Sequence, residues 1–268
     1  MHKNKYVHGY TERENARLCD QANALSELLH HDSFYPAGGV VLEAGCGIGA
    51  QTIILAKKSP KARFISVDVS RESLARAELT IKRAKINNVK FQQADIFHLP
   101  FAKKSFDHVF VCFVLEHLER PLRALQSLKA VLKKGGSITV IEGDHGSAYF
   151  HPESKEADRN IQCLIELQAG LGGNSLIGRQ LYPVMKQAGF REIRVSPRMV
   201  YVDSSRPELV EGFTKNTFIA MVENVREQAL QSKMIDMKSW SKGIKDLYKT
   251  AGPGGTFCYT FFKATAIK

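Results

Sequence analysis

The sequence lacks any run of eighteen apolar residues, which excludes a membrane-crossing helix. Met1-His2-Lys3-Asn4-Lys5-Tyr6 has no apolar stretch behind it, so no secretory signal is expected. Cysteines are few. The five, at positions 19, 46, 112, 163 and 258, are an odd number and include no C-x-x-C pair. That spacing argues against a disulfide framework and a zinc ribbon, and the expectation is reduced thiols in a cytoplasmic protein. No His/Cys cluster has metal-ligand spacing, so no metal is expected. Internal repeats and low-complexity segments are also missing. Acidic residues are outnumbered: 38 Lys and Arg face 27 Asp and Glu, for a net charge of +11. The basic residues are dispersed (Lys57 and Lys58, Lys82 and Arg83, Lys103 and Lys104, Lys133 and Lys134) and no aromatic residues interleave with them. They read as solvated helix ends rather than a stacking platform for nucleic acid, although the charge keeps RNA open.

What is present is organised around Val40-Val41-Leu42-Glu43-Ala44-Gly45-Cys46-Gly47-Ile48-Gly49. An apolar strand runs into an acid, and glycines then fall at every second position. Such a turn lets a backbone approach a ligand closely, and the helix after it offers free N–H groups and the positive end of its dipole. Gly45, Gly47 and Ala50 also satisfy the G-x-G-x-x-G/A dinucleotide pattern, so the turn alone is ambiguous. Asp68 closes the next apolar strand, nineteen residues after Gly49, where an acid can accept ribose hydroxyls.

Strands and helices alternate: strands over 40–44, 63–68, 89–94, 106–112 and 137–142, helices over 50–59, 71–86 and 120–133. The pattern predicts a parallel sheet covered on both faces, with ligands beyond the carboxyl ends of the strands. A helix over 10–29 precedes it. Ser70 with Ser73 fits a helix N-cap, and Gly135-Gly136 is expected to end the fourth helix. After 143 the alternation stops. Helices over 154–171 and 179–187, a strand over 190–196, a helical excursion over 206–249 and a last strand over 256–263 complete the reading.

Glu43-Ala44-Gly45-Cys46-Gly47-Ile48-Gly49, Asp68, Ala94-Asp95-Ile96-Phe97-His98-Leu99-Pro100-Phe101 and Phe106-Asp107-His108-Val109 with Leu115-Glu116-His117-Leu118 resemble class I S-adenosylmethionine-dependent methyltransferases, most of all the small-molecule group that includes quinone-biosynthesis enzymes. The resemblance covers about 40–143. It implies an α/β, Rossmann-like seven-stranded mostly parallel sheet with helices on both faces, the last strand antiparallel, plus helical lid insertions. As a domain plan it implies one methyltransferase domain: an N-terminal helical segment at 1–35, a cofactor-binding core at 36–143, and lids at 144–177 and 203–250.

The resemblance also implies the cofactor S-adenosylmethionine, released as S-adenosylhomocysteine. Glu43 would take the methionine ammonium, and Gly45, Cys46 and Gly47 would line its path. Gln51 would reach the carboxylate, Asp68 the ribose hydroxyls, and Val69 the adenine face. Asp95, flanked by Ala94 and Ile96, would take the adenine amine. Cys112 and Phe113 would sit near the sulfonium with His117, and an N-terminal tyrosine, Tyr10 or Tyr6, would fold over the ligand. Methyl transfer is an in-line displacement in which the protein mainly aligns donor and acceptor and excludes water. The catalytic candidates are Glu116 and His117 after strand four, and Asp144 and His145 after strand five, each a histidine beside a carboxylate suited to general-base work. Asn-Pro-Pro-Tyr, used by enzymes that methylate planar amines, is replaced by Cys112-Phe113-Val114-Leu115, which counts against nucleobase-amine methylation. The expected partner is a small-molecule acceptor. The alternatives are an RNA or protein methyltransferase, an NAD-binding oxidoreductase, and a non-catalytic cofactor-binding scaffold. The acceptor and the oligomeric state are not set by the sequence.

Overall fold

The computed structural model describes residues 12–268. Helices α1 (Glu12–Ala24) and α2 (Ser26–His30) lead into β1 (Val40–Ala44), α3 (Ala50–Lys58), β2 (Arg63–Asp68), α4 (Arg71–Arg83), β3 (Val89–Gln93) and β4 (Phe106–Cys112). A 3-10 turn (Leu115–His117) precedes α5 (Pro121–Val131) and β5 (Leu132–Gly143). A second such turn (His145–Ser147), β6 (Tyr149–His151), α6 (Lys155–Gly170), a third turn (Ile177–Gln180), α7 (Leu181–Gln187) and β7 (Arg191–Asp203) follow. The chain ends with α8 (Pro207–Leu209), a π-helix (Val210–Ile219), α9 (Ala220–Asn224), α10 (Arg226–Gln231), α11 (Met237–Thr250) and β8 (Thr256–Ile267).

The strands form one sheet in the order β3-β2-β1-β4-β5-β8-β6, with β7 also paired to β8. β1, β2, β3, β4 and β5 pair with one another in parallel, and the last strands are antiparallel. The sheet has eight strands rather than the expected seven. The addition is β6, three residues paired to β8 through Tyr149↔Cys258, Phe150↔Phe257 and His151↔Thr256. Three residues are too few for an alternation to show. Gly135 and Gly136 do not end a helix, as expected, because α5 already stops at Val131. They form a bulge inside β5, where the β4 register slips between Phe106↔Leu132 and His108↔Ser137. A side chain on Gly136 would press on the Asp107 carbonyl at 2.8 Å. The helix expected over 10–29 breaks at Leu25 into α1 and α2, and β7 runs on to Asp203.

The chain divides into two compact units, each assembled from three segments. The sheet unit comprises residues 26–142, 177–198 and 262–268. Its core joins Leu42, Val67, Val109, Val111, Ile138 and Val140 from the strands to Leu125, Leu128, Leu181 and Met185 from α5 and α7. The apolar positions of α5 recur at three- and four-residue steps, so one stripe is buried and Arg123 and Lys129 stay off it. Ser70 caps α4 by accepting the Ser73 N–H at 3.1 Å, as its spacing predicts.

Of the described residues, the second unit comprises 12–25, 143–176 and 199–261. α6 and α11 pack closely at Gly243, where a side chain would collide with the Glu156 carbonyl at 2.5 Å. The unit carries an aromatic cluster of Phe213, Phe218, Phe257, Tyr259 and Phe261, with ring centroids 4.7 to 6.1 Å apart. Among the described residues, no helix is long and apolar enough to cross a membrane.

Candidate functional site

The glycine turn closes β1 through two bonds to β2: the N–H groups of Gly45 and Cys46 both donate to the Val67 carbonyl, at 2.8 and 3.0 Å. Gly45, Gly47 and Gly49 all have positive φ (76°, 51° and 81°), yet they serve different ends. A side chain on Gly45 would strike Val114, and one on Gly49 would press on Ala77 of α4 at 3.0 Å. Around Gly47, no described residue lies within 4 Å of where a side chain would begin. The first and third glycines are demanded by packing. The middle one leaves bare backbone facing open space.

Two acids serve the same turn. Glu43 is 2 % exposed, and its Oε2 accepts from Thr52 Oγ1 at 2.7 Å and Ser66 Oγ at 2.6 Å. Burial pushes its pKa up to about 7 despite those two bonds, and the nearby Asp68 charge adds to the rise. Thr52 and Ser66 were not singled out from the sequence. Ser66 was legible there as a hydroxyl inside the apolar strand Phe64-Ile65-Ser66-Val67, and register places it opposite Glu43. Asp68 bridges β2 to the turn: Oδ2 accepts the Gly47 N–H at 2.8 Å and Oδ1 the Ser70 N–H at 2.9 Å. Burial raises its pKa, and the backbone N–H bonds of Ser70 and Gly47 oppose that rise. Each oxygen keeps a lone pair for a further donor. Beside it, Val69 exposes an apolar side chain at 40 %.

Asp95 follows β3, and the Ala94 N–H donates to the Asp68 carbonyl at 3.0 Å. Its Oδ1 accepts the Phe97 N–H at 2.9 Å, while Oδ2 lies 3.1 Å from Nδ1 of the exposed His98. Ile96 turns inward and is buried. At the start of α3, the Oε1 of Gln51 lies 2.6 Å from Nε2 of His30, a buried residue at the end of α2.

At the tip of β4, Cys112 is buried, and its thiol pKa is raised first by burial and then by Glu142, Glu43 and Glu116. Cys46, inside the glycine turn, is likewise held as a neutral thiol by burial. Phe113 takes φ 56°, a conformation bulky residues avoid, with its N–H bonded to the Ile141 carbonyl at 2.9 Å. That kink starts the turn bearing Glu116 and His117, whose Oε1 and Nε2 stand 3.5 Å apart. The turn is held from β5: Oε1 of Glu142 accepts the N–H groups of Val114 at 3.1 Å and Leu115 at 2.8 Å, and Oε2 that of Glu116 at 3.4 Å. Burial and the neighbouring Glu116 raise the Glu142 pKa well above the carboxylate range. The sequence placed Glu142 at a strand end but gave it no role.

Asp144 and His145 fall in the second unit. The Asp144 carboxylate accepts the Gly146 N–H at 3.1 Å. His145 is buried in the aromatic cluster, with Nδ1 2.7 Å from the Tyr259 hydroxyl and its ring against Phe218 and Tyr259. Tyr6 and Tyr10 lie outside the described residues. Among the described residues, no group of three or more His, Cys, Asp or Glu is placed to hold a metal ion.

The order of the strands and the glycine turn with acids at successive strand tips define a Rossmann-like domain of the nucleotide-cradling kind. The family model described as "Methyltransferase domain" matches residues 36–189, more than half of the chain. The chain belongs to that methyltransferase family. It is 37 % identical over 147 residues to an uncharacterised methyltransferase of Schizosaccharomyces pombe, covering 53 % of this chain and 52 % of that protein. A demethylmenaquinone methyltransferase of Lactococcus lactis is 29 % identical, covering 51 % of this chain and 58 % of its own length. The chain thus spans about half the length of the curated relatives it matches first. The fold resembles that of a Haemonchus contortus phosphoethanolamine N-methyltransferase solved with phosphomonomethylethanolamine and S-adenosylhomocysteine, at 17 % identity, TM-score 0.57, and coverage of 93 % of this chain and 52 % of that one.

Proposed function

We infer that this chain transfers a methyl group from S-adenosylmethionine to a small-molecule acceptor. The observation that carries the reading is the bare backbone of Gly47, held open while its N–H is fixed by Asp68. A cradle that a single side chain would fill, flanked by an acid at the ribose position and an exposed valine beside it, suits an adenosine with a chain attached. Asp68 would take the ribose hydroxyls, Val69 the adenine face, and Asp95 with the Ala94 and Ile96 backbone its exocyclic amine. Gly45, Cys46 and Gly47 would line the methionine path, with Glu43 toward the ammonium and Gln51 toward the carboxylate. The cofactor supplies an activated methyl group on sulfur. The chain's part is to bind, to align and to exclude water.

On the acceptor side we carry forward Glu116 and His117, because Glu142 holds the Val114, Leu115 and Glu116 N–H groups of the turn that bears them. In such a pair the acid orients the imidazole, which takes a proton from an acceptor hydroxyl or amine. Phe113 and Cys112 would form the wall near the sulfonium. Asp144 and His145 are the weaker pair, since Nδ1 of His145 is engaged by Tyr259 and the Asp144 carboxylate caps its own turn. A small acceptor is supported by the name of the Lactococcus relative, which acts on demethylmenaquinone.

Calorimetry with S-adenosylhomocysteine and with NAD tests the cradle, and NAD binding alone would reverse the reading. Asp68→Ala should weaken the nucleoside ligand by about 1–3 kcal/mol, the cost of stranding its hydrogen-bond partners. Unchanged affinity would break the ribose assignment. Labelled methyl transfer across a metabolite panel identifies the acceptor.

A further inference from the structure

A polar chain of Lys263, Ser33 and His30, which the proposed reaction does not use, leads to Gln51. Lys263 of β8 is 4 % exposed, and its ammonium donates to the Leu29 carbonyl at 3.1 Å, Asp32 Oδ1 at 2.5 Å and Ser33 Oγ at 2.7 Å. Ser33 Oγ, already an acceptor, has its own proton to give, and it lies 3.4 Å from Nδ1 of His30. His30 is 1 % exposed. Burial, reinforced by the Lys263 and Lys58 ammonium groups, drives its pKa down to about 4, so the ring is neutral at pH 7. A neutral ring that accepts at Nδ1 carries its proton on Nε2. That nitrogen stands 2.6 Å from the Gln51 carboxamide oxygen, which can only accept. The acceptor-only carboxamide oxygen at one end and the ammonium at the other thus set the direction of every bond: Lys263 to Ser33, Ser33 to His30, His30 to Gln51.

Gln51 is the second residue of α3, directly after the glycine turn. With its oxygen held from behind, the carboxamide can present only its N–H2 forward, two donors at a helix end already biased toward anions. We propose that His30 is a positioning residue for the methionine end of the cofactor, holding the Gln51 carboxamide so that its N–H2 meets the ligand carboxylate. Without His30 the carboxamide is free to rotate, and its oxygen would face a carboxylate as often as its nitrogen. This rests on the reading of the glycine turn as a cradle for S-adenosylmethionine.

The test compares two ligands by calorimetry on the full chain. S-adenosylhomocysteine carries the amino-acid carboxylate, and 5′-methylthioadenosine keeps the nucleoside and sulfur without it. His30→Leu should weaken S-adenosylhomocysteine about tenfold and leave 5′-methylthioadenosine within about twofold of wild type. His30→Gln, whose amide N–H reaches where Nε2–H stood, should restore S-adenosylhomocysteine to within about threefold. Gln51→Leu, at a half-buried helix start, should show the same split as His30→Leu even if His30→Leu does not fold. Equal loss for both ligands, no loss for S-adenosylhomocysteine, or no rescue by glutamine would each overturn the proposal. A wild-type chain that binds neither ligand would instead overturn the cradle reading beneath it.

Discussion

Glu43 and His30 are buried titratable groups whose pKa values move in opposite directions, and the pH dependence of stability follows from the signs. Glu43 is raised from 4.5 to about 7, so between those values the folded chain holds a proton that the unfolded chain has lost. Its contribution is complete below about pH 4.5 and disappears as pH rises through 7. His30, lowered from 6.5 to about 4, does the reverse: its contribution is complete above 6.5 and disappears as pH falls through 4. Glu43→Gln keeps an acceptor for Thr52 and Ser66 without the charge. Its melting temperature should rise relative to wild type as pH goes from 5 to 8, by on the order of 3 kcal/mol of stability at the top. A difference that stays flat with pH would refute the assignment. The glycines separate just as sharply. Gly45→Ala should unfold the protein or lower its melting temperature by many degrees, because Val114 occupies the space. Gly47→Ala should cost only about 1–2 kcal/mol of stability for its positive φ, yet abolish nucleoside binding in calorimetry. From the sequence these glycines were indistinguishable, because spacing shows that a turn is tight and not which atoms crowd it.

Among the elements, the parallel core was legible because β1, β2 and β5 carry apolar residues up to an acid at Glu43, Asp68 and Glu142, and α4 and α5 each show a buried stripe. Asp68 and Ser70 were legible for the same reason, since caps and strand ends follow local rules. The bulge at Gly135 and Gly136 was not: two glycines after a helical pattern signal a helix end, and only pairing with β4 makes them part of a strand. The ten-residue π-helix Val210–Ile219 was hidden as well, since its apolar residues read as part of an ordinary helical excursion. The hold of β5 on the turn after β4 depends on Glu142, a contact between residues 26 or more positions apart. Glu142→Ala should strand two or three buried N–H groups and cost about 2–4 kcal/mol by denaturant unfolding, whereas Glu142→Gln, retaining one carbonyl acceptor, should cost less than half of that. Equal losses in the two variants would show that the side chain matters for packing rather than for the bonds it accepts.

For the molecule as a whole, the +11 charge is the feature that most invites another function. Several of the basic residues are already committed to neighbouring acids or carbonyls: Lys133 to Asp107, Lys129 to Gly189, Lys242 and Lys249 to Asp246. tRNA retained on a filter at low salt is therefore expected to be released by about 0.2 M salt and to gain no labelled methyl group. Methyl incorporation into tRNA would overturn the small-molecule reading. The two units, each gathered from three separated segments, were not legible from composition, which shifts little along the chain. The bond from Lys263 to Ser33 joins residues 230 positions apart, and this gives it a meaning during synthesis. A chain still growing on the ribosome can build the glycine turn early, but it holds no completed donor line to Gln51 until residue 263 has emerged. On the proposed reading of that line, tight grip on the methyl donor waits until β8 has been made.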